Sequence, residues 1–148
     1  MVKYLFLPVH SLIVLIFFLN LVSCSADMGK VVISKPDEYK YIYEAKETVI
    51  LKAIASIFKE KRIGSNVKID QKNHQVDSDY VVSGDWRTKA NARVQRLNWK
   101  ECEVTLAVTT EKKMETGWEL RRLLEKKQYY SFFSMIDLKI YEEMSKIE

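Results

Sequence analysis

The sequence predicts an α+β fold: an antiparallel sheet of three to four strands packed by two long amphipathic helices, behind a removable apolar leader. Three observations carry this. Cys102 to Thr109 alternates, with Cys102, Val104, Leu106 and Val108 apolar and the residues between them mostly polar, the period of a strand with one face on a core. Two stretches repeat apolar residues at helical spacing: Ile42, Ala45, Val49, Ala53, Ile54 and Ile57, then Phe133, Ile136, Ile140, Met144 and Ile147. Finally, Gly 4 and Pro 2 in 148 residues leave few turns enforced by backbone chemistry, so long regular elements are expected.

Taken in order, Val31-Val32-Ile33 reads as a short edge strand or as part of a tether. Ser34-Lys35-Pro36-Asp37 carries a helix-start signal, with Ser34 as N-cap, Pro36 early in the first turn and Asp37 three residues on. A helix is therefore expected from there to about Lys61, stopped near Gly64, with Lys59, Lys61 and Arg62 complementing its dipole. Val67 to Asp70 alternates as a strand. Tyr80 to Trp86 reads as another, with Val82, Gly84 and Trp86 on one face and Trp86 filling the core. Ala92 to Trp99 reads as a third strand, and Cys102 to Thr109 is the clearest. Trp118-Glu119-Leu120 is either a further strand or the start of the closing helix.

The amino-terminal residues carry the most specific signal. Lys3 is the only charge in the first 23 residues, and Leu5 to Val22 follows it without another. Leu21-Val22-Ser23-Cys24 ends that run, and a small, polar segment begins at Ser25. A basic start, an apolar stretch and a small-residue boundary make the layout of a secretory signal. The run is also long enough for a membrane-spanning signal anchor, and an ordinary signal peptide with an incidental cysteine is the other alternative.

Leu21-Val22-Ser23-Cys24 resembles the lipobox of bacterial lipoproteins. That resemblance implies cleavage between Ser23 and Cys24, a diacylglyceryl group on the Cys24 thiol, and acylation of the new amino group by a chain such as palmitate. Three acyl chains exceed the two signals that stable anchoring needs. It divides the chain into a signal peptide at 1–23, a lipidated tether at 24–30 and one α+β domain at 31–148. Ser25 stands where an Asp tends to retain enterobacterial lipoproteins in the inner membrane, so the resemblance favours the outer membrane, facing the periplasm.

The order helix, strands, helix also resembles the helix-grip domains of BamC-like envelope lipoproteins. The residues carrying it are the helix containing Ile42 to Phe58, Val67 to Asp70, Val81-Val82-Ser83-Gly84-Asp85-Trp86, Arg93 to Arg96, and the closing helix. BamC itself has two such domains behind a long lead, whereas one domain behind a short lead is read here.

Catalytic chemistry is sparse in the residues. With Cys24 consumed by lipid, Cys102 is the remaining cysteine and has no disulfide partner; its place on the apolar face predicts burial. His74 is the single histidine after the leader, in a stretch that reads as a turn. Glu101 and Glu103 share the polar side of one strand, and paired carboxylates about 5–5.5 Å apart cleave glycosidic bonds, but a solvated face is the expected reading. Asp77 and Asp79 fall short of the six to eight oxygens that calcium takes. Trp86, Trp99 and Trp118 are candidates for sugar stacking. Arg121, Arg122, Lys126 and Lys127 near Tyr129 and Tyr130 form a basic cluster, as do Arg87, Arg93 and Arg96, and both are expected to be solvated. A net charge of +4 is too mild for a nucleic-acid partner. No cofactor and no metal are expected. The function expected is non-catalytic: an envelope protein held to the membrane through Cys24 that docks to a protein partner in assembly or maintenance. The alternatives are a module binding a small ligand, lipid or glycan and, last, a cell-wall enzyme.

Overall fold

The computed structural model describes residues 29–146. Ser23, Cys24 and the leader, with every expectation that rests on them, lie outside the described residues. The chain runs β1 (Glu38–Tyr43), α1 (Glu47–Glu60), β2 (Ser65–Asp70), β3 (Gln75–Asp79), β4 (Val81–Ser83), β5 (Trp86–Arg96), β6 (Cys102–Met114), β7 (Gly117–Leu120) and α2 (Lys126–Ser145). The fold is α+β, with two helices on one antiparallel sheet. That sheet has seven strands rather than three or four, in the order β1-β6-β5-β3-β2, with β4 also on β5 and β7 also on β6.

Two strands set the geometry. β5 and β6 pair along their whole length, from Trp86 opposite Lys112 to Arg96 opposite Cys102. Each is long enough to take two partners on its outer edge. Towards the Arg96–Cys102 end β5 takes β3, whose far side holds β2, and β6 takes β1. Towards the other end β5 takes β4 and β6 takes β7. The sheet is thus two short sheets in series on one long hairpin.

Both helices lie under the first of these. On β6, Cys102, Val104, Leu106 and Val108 face the core as the alternation predicts, and Ala90, Ala92 and Val94 do so from β5. α1 buries Val49, Ile50, Leu51, Ala53, Ile54, Ala55, Ile57 and Phe58, most of its circumference, because sheet and α2 enclose it together. α2 contributes Phe133, Ile136 and Ile140, as its spacing predicts, and also Tyr129, which that spacing does not include; Met144 is 43% exposed, and Ile147 lies outside the described residues. Gln128 Oε1 accepts the Glu125 backbone N–H at 2.6 Å and caps its start.

The first helix differs from expectation. It starts at Glu47, and the segment before it is a strand. Tyr39, Tyr41 and Tyr43 point at α2, with Tyr39 tilted against Tyr129 at 4.4 Å and Tyr41 stacked on Phe133 at 5.4 Å between centroids. The Tyr43 hydroxyl donates to the Phe133 carbonyl at 2.8 Å. The period here is two, carried by aromatic rings, and Ile42 is left on the outer face at 49% exposure. Asp37 starts no helix; its carboxylate takes both Nε and Nη2 of Arg122, at 2.6 and 3.0 Å. Nor does Gly64 end α1. The helix gives way at Arg62, in left-handed conformation with φ 51°. Gly64 is glycine because a Cβ there would fall 1.9 Å from Ser78 Oγ.

Among the described residues no helix packs beneath the second short sheet, which projects as a wing. Tyr80 to Trp86 is not one strand: Gly84, at φ 58°, turns the chain between β4 and β5. Val82 is accordingly 61% exposed, and Trp86 is only partly buried, not a core residue in phase with it. Trp118-Glu119-Leu120 belongs to β7. The Arg87 guanidinium lies between the Tyr80 and Trp118 rings, 4.3 and 4.5 Å from their centroids, and pairs with Glu111. Residues 29–33 form a strap along this wing. Ile33 N donates to Leu120 O at 3.2 Å, Val32 bridges Arg121, and Gly29 N donates to Arg122 O at 3.2 Å. Gly29, at φ 77°, lies so close to Trp86 that a Cβ would sit 2.4 Å from the indole.

Candidate functional site

The site lies at the other end of the long hairpin, where β5 turns into β6. The turn is short and stiff. Asn98 Oδ1 accepts the backbone N–H groups of Lys100 and Glu101 at 2.8 and 2.9 Å, and its amide donates to the Glu101 carboxylate at 2.6 Å. Leu97 N donates to Glu101 O at 2.9 Å, and Arg96 Nε to Asn98 O at 3.1 Å. An asparagine whose side chain replaces backbone partners is the local reason for the turn. Its effect is to hold Trp99 outward at 84% exposure, with Leu97 beside it at 45%.

Two depressions adjoin this tip. The nearer, about 410 Å³, is lined by residues 45–48 at the start of α1 and by Arg96, Asn98, Trp99, Lys100 and Cys102. The other, about 700 Å³, extends across the outer face of the sheet between Lys40, Asn73, His74, Arg93, Gln95 and Thr105. Glu47 and Arg96 belong to both. The charges are largely paired in place. Glu47 takes His74 Nδ1 at 2.6 Å, Glu38 takes Arg93 at 3.2 Å, Glu103 takes Lys40 at 2.7 Å and Glu44 takes Lys100 at 2.5 Å. Glu44 raises the Lys100 ammonium above the usual lysine range, so this cation stays charged at neutral pH.

Cys102 and the acidic residues singled out in the sequence are held in structural contacts. Cys102 is buried, as its alternation predicts, and its Sγ is 3.7 Å from the Ala45 carbonyl. Burial pushes the thiol up, away from the nucleophilic thiolate. Glu101 and Glu103 do not share a cleft: one braces the turn through Asn98 and the other holds Lys40. Asp77 accepts from the Asn91 amide at 2.6 Å, and Asp79 from the Asn66 amide at 3.0 Å. Among the described residues no group of three or more His, Cys, Asp or Glu side chains is set to hold a metal ion.

The three tryptophans are far apart in role. Trp99 stands alone on the tip, while Trp86 and Trp118 belong to the wing at the opposite end, so they make no common platform. The expected basic clusters are also dispersed. Arg121 pairs with Glu119 and Arg122 with Asp37, Lys126 lies over the Tyr130 ring, and Arg87, Arg93 and Arg96 are strung along β5 with separate partners. Glu47 and Lys46, by contrast, enter the site from a stretch whose helical reading concealed the loop before α1. The available signal was Tyr39, Tyr41 and Tyr43 at period two, which ends where that loop begins.

No protein-family model matches the chain, and no curated protein is similar to it in sequence. Among the described residues, no helix is long and apolar enough to cross a membrane.

Proposed function

We propose that this chain is a lipid-anchored cell-envelope protein that docks to a protein partner through the tip of its long hairpin. The anchor is Cys24, acylated after cleavage behind Ser23, and the favoured location is the periplasmic side of the outer membrane. The observation that carries the docking reading is the exposed Trp99 with Leu97 on a turn fixed by its own hydrogen bonds. A tryptophan carried on a turn whose backbone is already braced spares the loop-ordering part of the binding entropy, and tryptophan is enriched among interface hot spots. Position supports it too. β6 has 13 residues and the wing begins at Glu111, so the tip end of the strand stands about 30 Å from where the strap is tied. The lipobox and the short segment after it fit the same reading.

The test is photocrosslinking in native membranes from position 99. A defined envelope protein should be recovered from a benzoylphenylalanine at that position, and Trp99→Ala should weaken the purified complex about 30-fold, the effect of an anchor worth about 2 kcal/mol. Equal capture from position 99 and from exposed Leu138 on α2 would refute a docking tip.

A second reading rests on the larger depression, where Lys40, Arg93 and Arg96 together with Glu38 and Glu47 offer a small polar ligand such as a glycan hydrogen-bonding groups of both signs. Recovery of no protein, together with a bound lipid or glycan in native mass spectra, would favour it.

A further inference from the structure

From the strap and the wing we infer that the helix-free wing of the sheet rests on the phospholipid surface, through the tips of its two hairpins. This rests on the anchored reading above and adds which face of the domain meets the bilayer. The strap sets the distance. Gly29 is already held by Arg122 O and packed on Trp86, so five residue steps separate it from Cys24. Fully extended, they reach about 18 Å, which crosses the roughly 5–7 Å polar layer of one leaflet but is less than half the length of the hairpin. A body tied so closely cannot turn its far end to the membrane.

The side it presents has the matching chemistry. Val31 and Val32 on the strap are 46% and 55% exposed, Val82 beside the β4–β5 turn 61%, and Met114 at the β6–β7 turn 41%. The two tips are joined, Lys113 N donating to Asp85 O at 2.7 Å, so they act as one edge. Lys112 lies over the Trp86 ring at 5.7 Å, an aromatic–cation pair of the kind that occupies headgroup depth. Asp85 and Glu115 balance Lys112 and Lys113 on these tips. Shallow apolar contact held by the anchor, rather than net charge, is therefore what binds the edge to lipid.

The experiment uses the full chain, processed in cells, purified in detergent and reconstituted into phosphatidylcholine vesicles with and without phosphatidylglycerol. Single thiols are introduced by Met114→Cys, Val82→Cys or Trp99→Cys and labelled with an environment-sensitive dye; buried Cys102 stays unlabelled. Both wing positions should show blue-shifted emission and be quenched by headgroup-depth spin-labelled lipid, in both vesicle types. Position 99 should be unquenched. Wing dyes in water on vesicles that float with the protein would overturn the orientation alone. Failure to float would overturn the anchored reading and the orientation with it. Floating with an uncleaved leader would overturn lipidation, while the wing readout would still decide the orientation.

Discussion

At the scale of single residues, two buried groups give sharp expectations. Cys102 has its sulfur in the core and its thiol pushed up by burial, so in native protein a thiol reagent should react with it only as fast as the domain opens. Labelling followed by mass should show full modification in denaturant and almost none without; rapid native labelling contradicts this placement. Tyr129 is the second. Its hydroxyl accepts from Val108 N at 3.2 Å and donates to Asp37 O at 3.3 Å, inside the core. Burial raises its pKa from 10.0 to about 12. The unfolded chain ionises first, so this contribution to stability is complete below about pH 10 and is lost as pH rises towards 12. Denaturation curves across that window should show the midpoint falling. Tyr129→Phe should cost about 1–2 kcal/mol at neutral pH and flatten the alkaline slope.

Among the elements, α1 is the one the rest enclose. Ile54→Ala removes a fully buried side chain between sheet and α2 and should cost about 2–5 kcal/mol by chemical denaturation. Gly64→Ala tests a close approach. Ser78 Oγ accepts the Ala90 backbone N–H at 2.8 Å and donates to its carbonyl at 3.3 Å, so it has no freedom to retreat from an added methyl. A loss of about 1–3 kcal/mol is expected there, against little change for Gly→Ala in an open turn of ordinary φ. What could be read from the sequence divides along the same lines. β2, β6 and α2 are legible because aliphatic residues or phenylalanine mark one face of each at the right period, although α2 also turns Tyr129 inward and Leu138 outward. β1 is illegible by that rule, since its core face is written in tyrosine and its outer face carries Ile42. The turn at Gly84 is hidden because valines and tryptophan flank it. Of the site, Cys102's burial follows from alternation. Trp99's isolation on a rigid tip does not, because it depends on Asn98 bonding across the turn and on where β5 stops.

For the molecule as a whole, the long β5–β6 hairpin acts as a spacer. One end carries the strap and the wing; the other, about 30 Å away, carries Trp99 and the depressions around Arg96. The account joins these ends to an anchor and a partner, and the anchor is the premise on which both uses depend. Cys24→Ser should therefore move the protein from the membrane to soluble fractions or leave it as an unprocessed precursor. The most direct measurement is the intact mass, with amino-terminal peptide analysis, of protein extracted from membranes of cells expressing the full chain. The expected species is a chain beginning at Cys24 that carries a diacylglyceryl group and an amide-linked acyl chain. An unmodified Cys24, or a chain that keeps residues 1–23, would contradict it.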